Sequence, residues 1–164
     1  MPYTLSHVII ALPISAIVKN KIPLASLVVG CIAPDFPYLL ALTSTNAPGH
    51  SLLGVLIYCL FPSLIALFIW YRWLEKPALK LFHLPLRAWR FSPKLLLYTV
   101  LGVLIGSYSH VLWDATSHSY GAFVVGSEFW HKYFLSLPLY KWNQYGSGLL
   151  GLTLICFWYL YSVV

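Results

Sequence analysis

Apolar residues fall into five segments along this chain, separated by short polar breaks. Leu52 to Leu74 predicts a helix long enough to cross the ~30 Å hydrocarbon core of a bilayer, with Pro62 as a tolerated kink. Leu95 to Trp113 predicts a second span, in which Gly102 and Gly106 form a small-xxx-small face for close helix contact. Leu149 to Val164, preceded by Gly146-Ser147-Gly148, is slightly short for a third. Two earlier segments, Leu5 to Val18 and Ile22 to Leu42, are separated by Lys19-Asn20-Lys21, and the latter is broken by Pro34-Asp35-Phe36-Pro37. Each is too short or too interrupted for an ordinary span. The expected fold is all-α: a small polytopic membrane helical bundle of about five apolar helices, forming a single domain over 1–164.

Composition supports lipid as the main solvent. Of 164 residues, 60% are hydrophobic and 9% charged, with a mean hydropathy of +0.78, where a soluble domain carries roughly a quarter charged residues. Seven Trp and twelve Tyr suit the membrane interface. The net charge of +6 would suggest nucleic acid in a soluble protein, but its placement excludes that reading. Arg72, Lys76, Lys80, Arg87, Arg90 and Lys94 fall between two apolar segments, so a basic cytoplasmic loop is expected at about 72–94. Cys31, Cys59 and Cys156 are widely spaced in apolar stretches and read as packing residues, not as a disulfide or thiolate framework. No cleavable signal peptide is evident at MPYTLSH, so the first apolar segment is expected to belong to the mature fold.

Orientation follows from the charges. With the basic loop inside, the Leu52 helix begins outside and the Leu95 helix ends there. With Lys19 and Lys21 also inside, the first segment runs from His7 outside to lysine inside, and the second returns toward Asp35. A charge rule that knows nothing of metals therefore gathers His7, Asp35, His50, His110, Asp114 and His118 at one level on the extracytoplasmic side, with the C-terminus inside.

The local chemistry centres on His110-Val-Leu-Trp-Asp114-Ala-Thr-Ser-His118. Residues four apart stack on one helix face, so His110 and Asp114 can point at one ion, and His118 follows if the helix continues. Imidazole and carboxylate suit zinc and similar divalent ions. A lone interfacial histidine has a plainer reading as a hydrogen-bonded residue. An ionisable group at membrane depth, however, costs about 2.5–3.5 kcal/mol or more and calls for a partner. Asp35 is flanked by Pro34 and Pro37, which stop the helix and fix the backbone; it reads as a ligand or as a helix terminator. His50 precedes Ser51, a natural N-cap for the long helix. His7 rests on topology alone. His83 and Glu75 read as solvated charges. Glu128 and His131 could be an extra ligand or a proton-transfer pair, and Gln144 and Ser147 either line the outer site or start a helix.

The segments MPYTLSH, GCIAPDFPYLL, GHSLLG, SHVLWDATSH and NQYGSGLLGL together resemble the bacterial membrane-protein family called domain of unknown function 4184, over nearly the whole chain. That family resembles membrane-bound metal-dependent hydrolases and, more remotely, zinc-dependent phospholipase C, which share an order of His, Asp, His, His-xxx-Asp and His. The resemblance carries that order onto His7, Asp35, His50, His110, Asp114 and His118, and implies a bridging carboxylate at Asp114. The phospholipase group also has a final His-xxx-Glu pair and a ligand from its processed N-terminus. Neither is matched here, so one or two ions are expected, not three.

The expected function is hydrolysis, assisted by a divalent metal such as zinc, of a phosphoester in a lipid-like substrate at the outer face of the bacterial inner membrane. Asp35 or Asp114 would accept the water proton. The rival is a membrane protein that binds metal structurally or handles ions without hydrolysis. Expected partners are membrane lipid and a lipid-phosphate substrate, with no nucleic acid. The end of the last segment within the bilayer at Val164 leaves room for a homo-oligomer.

Overall fold

The computed structural model describes residues 4–41, 48–84 and 92–163; Arg87, Arg90 and Val164 lie outside them. Among the described residues the chain is a helical bundle. Helix α1 (Thr4–Ile17) is wound as a 3-10 helix as far as Ile10. Helix α2 (Leu24–Ile32) gives way to a 3-10 turn at Ala33–Asp35 and then to α3 (Phe36–Ala41). Three longer helices follow: α4 (Leu52–Leu81), α5 (Pro93–Ser117) and α7 (Leu139–Val163). All three are long and apolar enough to cross a membrane, and the chain is an integral membrane protein. Between α5 and α7 lie a short helix α6 (Glu128–His131) and a hairpin of β1 (Tyr133–Phe134) and β2 (Leu137–Pro138), in which Tyr133 pairs with Pro138.

Helix α4 runs further than its apolar pattern suggests. Proline lacks an N–H and presses its ring on the carbonyl four residues back, which should interrupt the coil at Pro62 and again at Pro77. Each is preceded by a wide π-helical turn, at Val55–Cys59 and at Trp70–Leu74, which loosens the coil where proline needs room. Arg72, Lys76 and Lys80 consequently ride on the last turns of a helix; the loop expected to begin at 72 begins after Leu81. Helix α7 likewise starts ten residues before the expected Leu149. Its Asn143-Gln144-Tyr145-Gly146-Ser147-Gly148 stretch resembles a turn by propensity, but Gly148 and Gly151 are buried, and a Cβ on Gly151 would stand 2.8 Å from the Ser6 carbonyl of α1.

The α2–α5 contact anchors the bundle. Gly102 meets Ser26, Gly106 meets the Leu27 carbonyl, and Gly30 meets the Val103 carbonyl, each so closely that a methyl group would overlap its neighbour. Ser107 Oγ donates to the Gly30 carbonyl at 3.0 Å. This is the small-residue face expected at Gly102 and Gly106, and it lets the backbones approach where lipid offers no hydrophobic drive for helix association. Lys94 begins α5 and Asp114 nearly ends it, so the basic end and the acidic cluster are about 30 Å apart along the helix at ~1.5 Å per residue.

Candidate metal centre

Four short stretches of chain converge at one end of the bundle. In the 3-10 geometry of early α1, residues three apart eclipse, so Thr4 and His7 share a face. The break after α2 turns Asp35 inward, where Thr4 Oγ1 donates to its Oδ2 at 2.6 Å. His50 precedes α4, whose first turn is capped by Ser51 Oγ accepting from the Gly54 N–H at 2.9 Å. His110 and Asp114 stand one turn apart on α5, and His118 follows its C-terminus. All six residues singled out in the sequence meet here.

Four of them enclose one point. His50 Nε2 lies 3.3 Å from Asp35 Oδ1 and 3.2 Å from Asp114 Oδ2, and His110 Nε2 lies 3.5 and 3.3 Å from the same two oxygens. A tetrahedral site with metal–ligand bonds of ~2.0–2.1 Å has ligand–ligand edges of about 3.3–3.4 Å. The four histidine–carboxylate edges fit that figure, and all four donor atoms lie within 4.8 Å of one another. Asp35, His110 and Asp114 are 1%, 0% and 3% exposed. His110 Nε2, Asp35 Oδ1 and Asp114 Oδ1 are buried without a hydrogen-bond partner. Among the described residues no lysine or arginine pairs with either carboxylate, and the ionic partners are all histidines. Two buried carboxylates without a fixed cation are costly unless a proton or a metal supplies positive charge. The effect is visible at His50: burial opposes its protonation, but the Asp114 and Asp35 carboxylates outweigh burial and raise its pKa. The cluster can hold a metal ion, and its donor set fits one.

The surroundings orient these donors. His110 Nδ1 stands 2.7 Å from the Cys31 carbonyl, so the ring donates there and turns Nε2 toward the carboxylates. His7 stacks on His110 with ring centres 4.0 Å apart and meets Trp113 edge-on. Trp113 Nε1 donates to Ser147 Oγ at 3.0 Å. Tyr38 lies against His50 and Tyr120 against His118. Burial, with the nearby Asp114 charge second, raises the Tyr120 phenol, so it remains a donor.

The other oxygen of Asp114 faces a second group. His7 Nε2 and His118 Nδ1 each lie 3.4 Å from Asp114 Oδ1. Beside them is a cavity of about 20 Å³, lined in part by Thr4, His7, Asp35, Asp114, His118 and Gln144, with room for a single water. Burial lowers the His118 pKa and keeps its ring neutral. Gln144 and Ser147 prove to be lining residues on α7. Thr4, Ser117 and Tyr120 carried no usable signal in the sequence. Glu128 and His131 remain outside the cluster: α6 is exposed there, and His131 Nδ1 bonds to its own Ser127 carbonyl at 2.9 Å. His83 lies just past Leu81, at the opposite end. Cys31 and Cys59 are buried, Cys156 is exposed, and all three are free thiols.

A polytopic helical bundle with a buried histidine–aspartate cluster at one end of its spanning helices is thus the class that fold and site define. The chain belongs to the family described as Domain of unknown function (DUF4184), which it matches over residues 1–163. Neither the curated proteins nor the solved structures searched gave a match.

Proposed function

We propose that this protein is a membrane-bound metal-dependent hydrolase that cleaves a phosphoester bond in a lipid-like substrate at the extracytoplasmic face of the bacterial inner membrane. The observation that carries the reading is the four-donor set of His50, Asp35, His110 and Asp114, with buried, unpartnered donor atoms next to a water-sized polar cavity. A zinc-type ion held there would acidify a bound water and stabilise charge on phosphoryl oxygens. The residues supply the rest. Asp35 and Asp114 line the cavity and can accept a proton from water in it, while Thr4 holds the outer oxygen of Asp35. His7 and His118 border the same cavity and can bind anionic oxygens. The basic residues at the far end of the bundle favour an extracytoplasmic site. Its level at the ends of the spanning helices suits a head group within reach of the bilayer edge.

A second reading has its own observation. Four protein donors are enough to complete the coordination of an ion, and closed four-coordinate sites are characteristic of structural zinc. Metal analysis of the purified protein, followed by a panel of phosphodiesters and lipid phosphates, separates the two. Metal-dependent turnover that disappears in His110→Ala supports the hydrolase. Stoichiometric metal with no turnover on any member of the panel supports the structural site, and wild-type protein without metal excludes both.

A further inference from the structure

The two faces of Asp114 are not equally ready for metal, and the difference traces to Gln144. At the Oδ2 face the Cys31 carbonyl takes the Nδ1 hydrogen of His110, and among the described residues no second partner ties His50 Nε2 away from the two carboxylates it faces. At the Oδ1 face the geometry is equally close, with His7 Nε2 and His118 Nδ1 both at 3.4 Å, but the ring of His118 is set the wrong way for a ligand. Lys141 Nζ donates to Gln144 Oε1 at 3.1 Å, and a lysine ammonium can only donate. This fixes which end of the amide faces inward. The Gln144 NH2 group then points at His118 Nε2 across 2.8 Å, and an amide nitrogen can only donate in turn. His118 Nε2 must therefore carry the lone pair, and its hydrogen sits on Nδ1, directed at Ser117 Oγ at 3.1 Å and at the Asp114 carbonyl at 3.3 Å. A nitrogen bearing that hydrogen cannot coordinate a cation. Lys141 is itself held between the rings of Tyr140 and Tyr145, 5.8 and 5.5 Å from their centres.

We propose that the Lys141–Gln144 pair sets the metal count: it locks His118 in the tautomer that leaves the Oδ1 face of Asp114 closed to a second divalent ion, and reversal of the Gln144 amide opens that site to His7, Asp114 and His118. The inference rests on the metal-binding reading of the Oδ2 face. Gln144 is a positioning residue, acting on the second site through His118. An amide oxygen turned inward would accept the Nε2 hydrogen of His118 and release the Nδ1 lone pair toward Asp114.

The test is metal content per chain, measured by inductively coupled plasma mass spectrometry after zinc loading and desalting of the full-length protein in detergent, together with 15N shifts of labelled histidine to read the tautomer. Wild type is expected to retain one zinc with His118 protonated at Nδ1. Gln144→Glu replaces the NH2 by an acceptor and is expected to retain two, falling back to one when combined with His118→Ala. Because a carboxylate could bind zinc by itself, Lys141→Met is the second variant. It adds no ligand and frees the amide to reverse, so its content is expected to rise toward two. Two zinc ions in wild type, or one in both variants, overturns the proposal while leaving the first site intact. Wild type without zinc overturns the metal reading and the proposal together.

Discussion

His110 and Cys31 are joined through the backbone: the buried imidazole lies 2.7 Å from the Cys31 carbonyl, so helix α2 sets the tautomer of a donor carried on α5. The link ties the site to the helix contact that builds the bundle. It also makes His110 the residue with least freedom to be replaced. His110→Ala removes one of four donors from a fully buried position and is expected to lower metal content from near-stoichiometric to near zero after desalting. Asp114→Ala, which removes the donor shared by both faces, is expected to do the same. Metal retained by His110→Ala at the wild-type level would falsify the assignment of the centre.

The carbonyl of Cys31 is held by the close α2–α5 approach, so packing changes far from any ligand should reach the metal. A Cβ on Gly106 would overlap the Leu27 carbonyl and crowd the Cys31 N–H, both backbone atoms that cannot step aside. Gly106→Ala is expected to destabilise the protein by about 1–3 kcal/mol, as overpacking does, and to weaken metal binding as well. Gly146→Ala is the control. Nothing lies within 4 Å of that Cβ, and alanine gains roughly 0.5–1 kcal/mol over glycine in a helix. Thermal unfolding in detergent should therefore move in opposite directions for the two variants.

Thr4 is a subtler support. Its hydroxyl donates to Asp35 Oδ2 at 2.6 Å and leaves Oδ1 facing His50 and His110. Thr4→Val keeps the shape and removes the donor, and loss of such an outer partner costs about 10–100-fold in metal affinity. Competition with a chromophoric zinc chelator measures it. An unchanged affinity would show that Asp35 is oriented by the backbone alone.

Chelation should destabilise the fold. With metal absent, Asp35 Oδ1, Asp114 Oδ1 and His110 Nε2 are buried without partners, whereas a ligand at 100 times its Kd stabilises the native state by ~2.7 kcal/mol. A chelator is expected to lower the unfolding temperature of wild type by several degrees and to leave His110→Ala unmoved. Equal shifts in both would place the metal elsewhere.

Much of this was readable in the sequence, for identifiable reasons. The long spans announce themselves because lipid demands unbroken apolar helix, and Lys19, Lys21, Lys76 and Lys94 fall at the opposite ends of their segments from the candidate ligands. The six candidate residues assemble because each lies at the same end of its segment. Helix ends were less legible. Propensity treats Pro77 as a stop and Gly146-Ser147-Gly148 as a turn, whereas a π-turn accommodates the first and the packing of Gly148 and Gly151 overrides the second. Thr4 could not be found because its relevance depends on a 3-10 register that no apolar pattern encodes. The Gln144 amide is set by Lys141, and side-chain direction of that kind exists only in three dimensions.

Sidedness provides the last prediction. The hairpin between α5 and α7 lies at the histidine–aspartate end of the bundle, and Tyr133 on it is 75% exposed; Lys80, on the final turns of α4, lies at the other end. If the basic end is cytoplasmic, a cysteine placed by Tyr133→Cys in a Cys156→Ser background should react with a membrane-impermeant maleimide in intact cells. One placed by Lys80→Cys should react only after the cells are opened. The reverse pattern would put the metal centre on the cytoplasmic side. Its substrate would then be sought among cytoplasmic-leaflet phosphates, with the donor set and its chemistry unchanged.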